Sequence, residues 1–245
     1  MNRTNTTLRQ SRTPDARSVL QTVECNYPRS KMKVLFFMTG YRQNQEYWIQ
    51  SRLLRRCPKL AECAELFIYN NCIGNKIEDA CKDIPIPFRI HNTDKNAGHL
   101  LGPVEAMDFL VTSTDLSGYD YVIHLHPDVF IVDEEPLMQL LAEESATSNV
   151  FLVNNAVPMD PRFYCFDFFI FKPRLLTVPL FANWTGWTEP CEYFLHDRIV
   201  KNGVAHRMVN RYDSHVWNNT REIDLLGLWH EHDLSRVVSR FTLLP

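Results

Sequence analysis

The chain has 245 residues, 45% hydrophobic and 22% charged, with a formal net charge of −3 and a pI of about 6.3. That composition is ordinary for a globular protein and gives no basic footprint for nucleic acid. No apolar run reaches the roughly 18 residues of a membrane-spanning helix.

Residues 1–30 are rich in Thr, Arg, Asn and Ser and have no clear period. They read as a mobile N-terminal arm, with a short helix near Asp15–Glu24. They hold no apolar core of the kind a signal peptide has, so a cytoplasmic location is expected. The folded domain is expected over 31–245. Its first buried strand is Val34–Met38, with Thr39-Gly40 as a turn at the carboxyl end. Tyr47–Cys57 carries Trp48, Ile49, Leu53 and Leu54 at helical spacing and predicts an amphipathic helix. Leu66–Tyr69 is a second strand, ended by Asn70-Asn71, and Pro87–Ile90 a short third. His99–Thr112 predicts a helix in which Pro103 is tolerated only in the first turn. Tyr121–Leu125 is a β-branched and aromatic run, hence a buried strand that must end before Pro127. A helix over Pro136–Glu144, strands at Val150–Val153 and Phe166–Phe171, and a helix over Pro190–Val200 follow.

Strands alternating with helices predict an α/β domain with a mostly parallel central sheet and helices on both faces. No helical sequence separates the last two strands, so that half of the sheet is expected to be mixed or antiparallel. The seven cysteines are scattered and form no CxxC pair, so reduced thiols are expected rather than a structural zinc site.

Four segments carry chemistry. The first is His126-Pro127-Asp128, which places an imidazole and a carboxylate at the carboxyl end of a central strand. Open α/β sheets bind ligands there. A carboxylate between apolar runs is costly unless it is paired or binds a cation. The second is Trp229-His230-Glu231-His232-Asp233, where residues 230 and 232 point the same way if the segment is extended. The third runs from Asn92 to Gly102 and leads from a strand into a helix start that favours an anion, with Lys95, Asn96 and His99 at hand. The fourth is Phe163-Tyr164-Cys165-Phe166-Asp167-Phe168-Phe169, a lone acid in an aromatic run whose partner is expected to be a donor group, the backbone or Arg174.

In this order the segments resemble a nucleotide-sugar-dependent glycosyltransferase of the GT-A fold, a single Rossmann-like domain. YDYVIHLHPDVFIV looks like the strand bearing that family's DxD motif, with His126 in place of the first Asp and Asp128 in place of the second. Thr39-Gly40 and Asn70-Asn71 resemble its nucleotide-binding strand ends, and the segment around Lys95, Asn96 and His99 its donor-phosphate region. His230 or His232 resembles the late histidine that completes the metal site in some members. The resemblance implies transfer of a sugar from a nucleotide-diphosphate sugar to a glycan or other hydroxyl acceptor. It also implies a divalent ion held by Asp128, His126, His230 and His232.

An imidazole ligand at His126 favours Mn²⁺ over Mg²⁺; alternatively His126 contacts only the sugar or ribose. Asp167 and Glu192 are the candidates for the base that an inverting transfer needs. Two other readings stand beside this one. His124-x-His126-x-Asp128 is close to the ligand pattern of metallo-β-lactamase-like zinc hydrolases, although Val129 stands where that pattern has His. The other is a catalytically degenerate nucleotide-sugar-binding module.

Overall fold

The structure, a computed structural model, describes residues 32–94, 97–155, 160–212 and 222–243. Strand β1 (Val34–Gly40) is buried at every position, as a strand covered on both faces must be. Its side chains alternate between two cores. Val34, Phe36 and Met38 join one cluster, and Leu35 and Phe37 the other. On the first face lie α1 (Asn44–Leu54), α2 (Pro58–Cys63), α3 (Glu78–Cys81) and α5 (Glu135–Glu144). On the second lie α4 (Gly98–Ser113) and α6 (Cys191–Lys201).

Among the described residues the main sheet has seven strands in the order β3-β2-β1-β4-β7-β6-β8. The ranges are β2 (Ala64–Asn70), β3 (Phe88–Asn92), β4 (Tyr121–Leu125), β6 (Phe151–Asn155), β7 (Tyr164–Phe171) and β8 (His206–Met208). β3, β2, β1 and β4 are parallel, and β7 runs antiparallel to both β4 and β6. The sheet is thus mostly parallel, with the mixed half where the helix-free sequence predicted it.

A second sheet pairs β5 (Val129–Ile131) with β9 (Leu228–His230), antiparallel, with Val129 opposite His230. The sequence pattern does not predict it, because each strand is only three residues long. Helix α7 (Leu234–Phe241) is also new. Its Leu234, Val237, Val238 and Phe241 recur at helical spacing and pack with Trp229 in a third small core.

Some boundaries move. The helix expected over Tyr47–Cys57 ends at Leu54, because Pro58 begins α2 and its ring disfavours helical geometry at Cys57. Pro103 lies beyond the first turn of α4. Gly98 sits at φ 81°, so regular helix starts only after it, and the proline costs an early hydrogen bond instead of one in mid-helix. The helix expected near Asp15–Glu24 lies outside the described residues, as do Lys95 and Asn96. No helix among the described residues is long and apolar enough to cross a membrane.

Candidate active site at the carboxyl edge of the sheet

β4 stops at Leu125. A tight turn then carries Pro127 and Asp128, closed by the Val129 N–H donating to the His126 carbonyl at 3.0 Å. His126 continues the pairing with β7: its backbone N–H donates to the Asp167 carbonyl at 3.0 Å. Opposed residues of an antiparallel pair share a face, and the two side chains meet, with His126 Nδ1 3.0 Å from Asp167 Oδ1. Asp167 is therefore partnered by His126 and not by Arg174, which binds the Ser117 carbonyl and Asp120 instead.

The pairing of β5 with β9 brings the late histidines to the same place. His232 Nδ1 lies 3.1 Å and His230 Nε2 3.7 Å from Asp128 Oδ2. One ligand atom from each of these three residues lies within 4.8 Å of the others. His230 Nδ1 turns the other way, 3.8 Å from Asp167 Oδ2. His126 stands beside this trio but is not part of it. Asp233 accepts from the Ser235 N–H and caps α7, so it is a helix cap and not a third late ligand.

These groups perturb one another. Burial alone would raise the Asp128 carboxyl, but its contacts with His230 and His232 and the charge of His126 hold it well below the usual carboxylate range. Asp167 is likewise held low against its burial, first by the hydrogen bond and charge of His126. Burial opposes protonation of His126, yet Asp167, Asp128 and Glu192 together raise it. The hydrogen bond to Asp128 raises His232.

The residues present suit a divalent cation. Asp128 Oδ1 is buried with no partner among the described residues, and one carboxylate with two imidazoles is a borderline-hard donor set. All three residues line a cavity of about 910 Å³. Thr39, Gly40, Asn71, His99, His126, Asp167 and Glu192 line it too, so most of the expected site residues converge there. Asn70 does not. It is fully buried and ties the Cys72 and Asn75 carbonyls to Asn92, which fixes the loop after β2.

Burial raises the Glu192 carboxyl. Tyr41 and Gln43 line the cavity without having been predicted, and Phe163, at the start of the aromatic run around Asp167, lines it too. Their loop positions carry no periodic signal; Thr39 and Gly40, expected as a turn, instead continue β1 in parallel pairing with Tyr69 and Asn70, so the chain leaves the strand only at Tyr41. His124 is fully buried, 3.3 Å from Thr39 Oγ1 by its Nε2 and stacked on Phe169. It is not among the residues whose ligand atoms meet, so the first residue of the metallo-β-lactamase-like pattern stands outside that cluster.

No protein-family model matches the chain, and no curated protein does. Solved structures do. A mannosyltransferase from Pyrobaculum calidifontis, in complex with GDP-Man and Mn²⁺, superposes with a TM-score of 0.53 at 8% identity. The match covers 72% of this chain and 54% of that one, so the chain spans about half of that protein's length. A glycosyltransferase involved in glycosylation of the major capsid of PBCV-1 gives 0.52 at 6% identity, over 86% of this chain and 100% of that one. The chain has the GT-A glycosyltransferase fold.

Proposed function

We propose that this protein is a metal-dependent glycosyltransferase. It moves a sugar from a nucleotide-diphosphate sugar to a hydroxyl on a glycan or similar acceptor. The observation that carries this reading is the meeting of Asp128, His230 and His232 in the wall of one cavity, at the carboxyl edge of a GT-A sheet.

Asp128, His230 and His232 would hold the ion, Mn²⁺ in preference to Mg²⁺ given two nitrogen ligands. When bound, such an ion offsets the negative charge that gathers on a departing diphosphate. The N-terminal end of α4, with Gly98 and His99 on the cavity wall, offers backbone N–H groups and a favourable dipole to the same phosphates. Lys95 and Asn96, which precede it in the sequence, remain part of this proposal. Thr39, Gly40 and Asn71 form the donor side of the cavity. His126 contacts the donor from the cavity wall beside the ion site.

Glu192 is the better placed of the two base candidates, because Asp167 is engaged by His126 and His230. Its burial raises its proton affinity, which suits a group that must take a proton from the acceptor hydroxyl.

The test is hydrolysis of a panel of nucleotide sugars by the purified chain, with chelator and with added Mn²⁺. One donor is expected to be consumed, with turnover lost to chelator and restored by Mn²⁺. Affinity for a donor without turnover would leave a binding module. Turnover indifferent to chelator would reject the metal assignment.

A further inference from the structure

Glu192, the proposed base, does not stand alone in its part of the cavity wall. Pro190 and Cys191 precede it, and Phe163 joins the same wall from the turn before β7. The Phe163 ring is half-buried and packs edge-to-face with Tyr193, the residue after Glu192, at 5.3 Å between centroids and 88° between planes. Trp184 and Trp187, which crowd the sequence before α6, pack against the second core instead.

The Phe163 ring is braced from behind. The Tyr193 hydroxyl donates to Asp160 Oδ2 at 2.8 Å, and the Arg162 guanidinium lies 5.1 Å over the Tyr193 ring. Asp160 Oδ1 accepts from the Arg162 N–H at 3.0 Å, and the Asp160 carbonyl accepts from the Phe163 N–H at 3.1 Å. The turn is thus tied to α6, and the ring is ordered before any ligand arrives, which lowers the cost of binding.

The charge of this wall is negative. Glu192 lines the cavity, and Glu189 is exposed just before Pro190. Two cationic groups nearby, Arg162 and His126, are already paired with Asp160 and Asp167. No Lys or Arg among the described residues lines the cavity. A carboxylate-bearing ligand beside Glu192 would therefore meet like charge with no free cation to pair with. A neutral sugar ring meets no such penalty. Its C–H groups carry small positive charge and suit the negative face of an aromatic ring, while its hydroxyls suit a carboxylate.

We propose that Phe163 is a sugar-acceptor contact, on which the apolar face of an uncharged pyranose packs so that one of its hydroxyls meets Glu192. The acceptor class is then a neutral glycan or glycoside and not an acidic sugar. This deepens the transferase reading of the preceding section and rests on it for the role of Glu192. The contact of a neutral sugar with Phe163 stands on the geometry and charge of the wall itself.

Saturation-transfer NMR on the full chain tests this. The probes are methyl pyranosides of neutral hexoses and pentoses and the matching uronates, each with Mn²⁺ and UDP or GDP present and absent. At least one neutral pyranoside is expected to bind, with saturation greatest on the C–H protons of one ring face. Its uronate should bind about tenfold more weakly or worse. Phe163→Leu keeps an apolar side chain without the ring and should weaken the neutral sugar about tenfold. Phe163→Tyr should retain it, with unchanged far-ultraviolet circular dichroism in both variants.

Uronates that bind as tightly as their neutral counterparts overturn the proposal. So does wild-type affinity in Phe163→Leu, or a panel in which no neutral pyranoside binds. If no nucleotide sugar is turned over, yet a neutral pyranoside binds and is lost in Phe163→Leu, the transferase reading falls and this contact stands.

Discussion

The backbone N–H of Glu231 donates to the carbonyl oxygen of Asp128 at 3.1 Å. This bond extends the short β5–β9 ladder by one rung, and it fixes where the two histidines flanking Glu231 stand relative to Asp128. The Glu231 side chain is committed elsewhere, to the Asp233 N–H and to Arg236 of α7. The His230-Glu231-His232 segment is thus held from both sides, by β5 and by α7.

Asp128→Ala removes the carboxylate shared by both histidines. The expected outcome is a loss of Mn²⁺ affinity of more than about 100-fold, since a direct ligand should matter at least as much as an outer-shell group. Sugar transfer should be abolished and thermal unfolding little changed. Calorimetric titration and donor turnover check this, and near-normal turnover would reject Asp128 as the anchor.

Mn²⁺ affinity should rise with pH. His232 is raised above its ordinary value near 6.5, chiefly by its hydrogen bond to Asp128. A protonated imidazole cannot ligate, so the proton competes with the ion below that raised pKa. Below the raised pKa the affinity should tighten by up to about tenfold per pH unit, and level off above it. Titrations across neutral pH test the slope, which should be shallower in His232→Ala.

Glu192→Gln keeps the shape of the cavity wall and removes the proposed base. The expected loss in turnover is about 10²- to 10⁴-fold, with Mn²⁺ affinity unchanged. Equal losses in both would move Glu192 from the acceptor side to the ion site.

Gly227 precedes β9 at φ 72°, and a Cβ there would meet the Asp133 carbonyl. Its own carbonyl accepts from the Val132 and Asp133 N–H groups, which aligns β9 with β5. Gly227→Ala should cost at least about 1–2 kcal/mol from the left-handed backbone alone. It should also weaken Mn²⁺ binding, because His230 rides on β9. Urea unfolding and metal titration together test the link; a stability loss without a metal effect would break it.

Arg211 and Asp224 form a fully buried pair at 2.6 Å. Asp224 also accepts from the Leu226 and Leu228 N–H groups at the entry to β9. Removing Arg211 alone strands a buried carboxylate and should cost about 3–5 kcal/mol. Replacing both residues with apolar ones of similar volume should cost less. Denaturant midpoints of Arg211→Met and of the double variant decide this.

The sequence determined the α/β alternation, because strands as buried as β1 and β4 must be apolar at nearly every position and leave a local trace. It also placed His126 and Asp128 at a strand end, since Pro127 cannot continue a central ladder. It showed that the run around His230 and His232 was unusual, but not that Asp233 was a helix cap, although the period from Leu234 to Phe241 was there to be read. Only the tertiary structure decided which of these groups meet. The β5–β9 pair joins two three-residue strands far apart in the chain, and such contacts have no periodicity to betray them. The partner of Asp167 was hidden for the same reason. A buried carboxylate announces that it needs a donor, but which donor depends on the register of β7 against β4, and register is a property of the folded sheet.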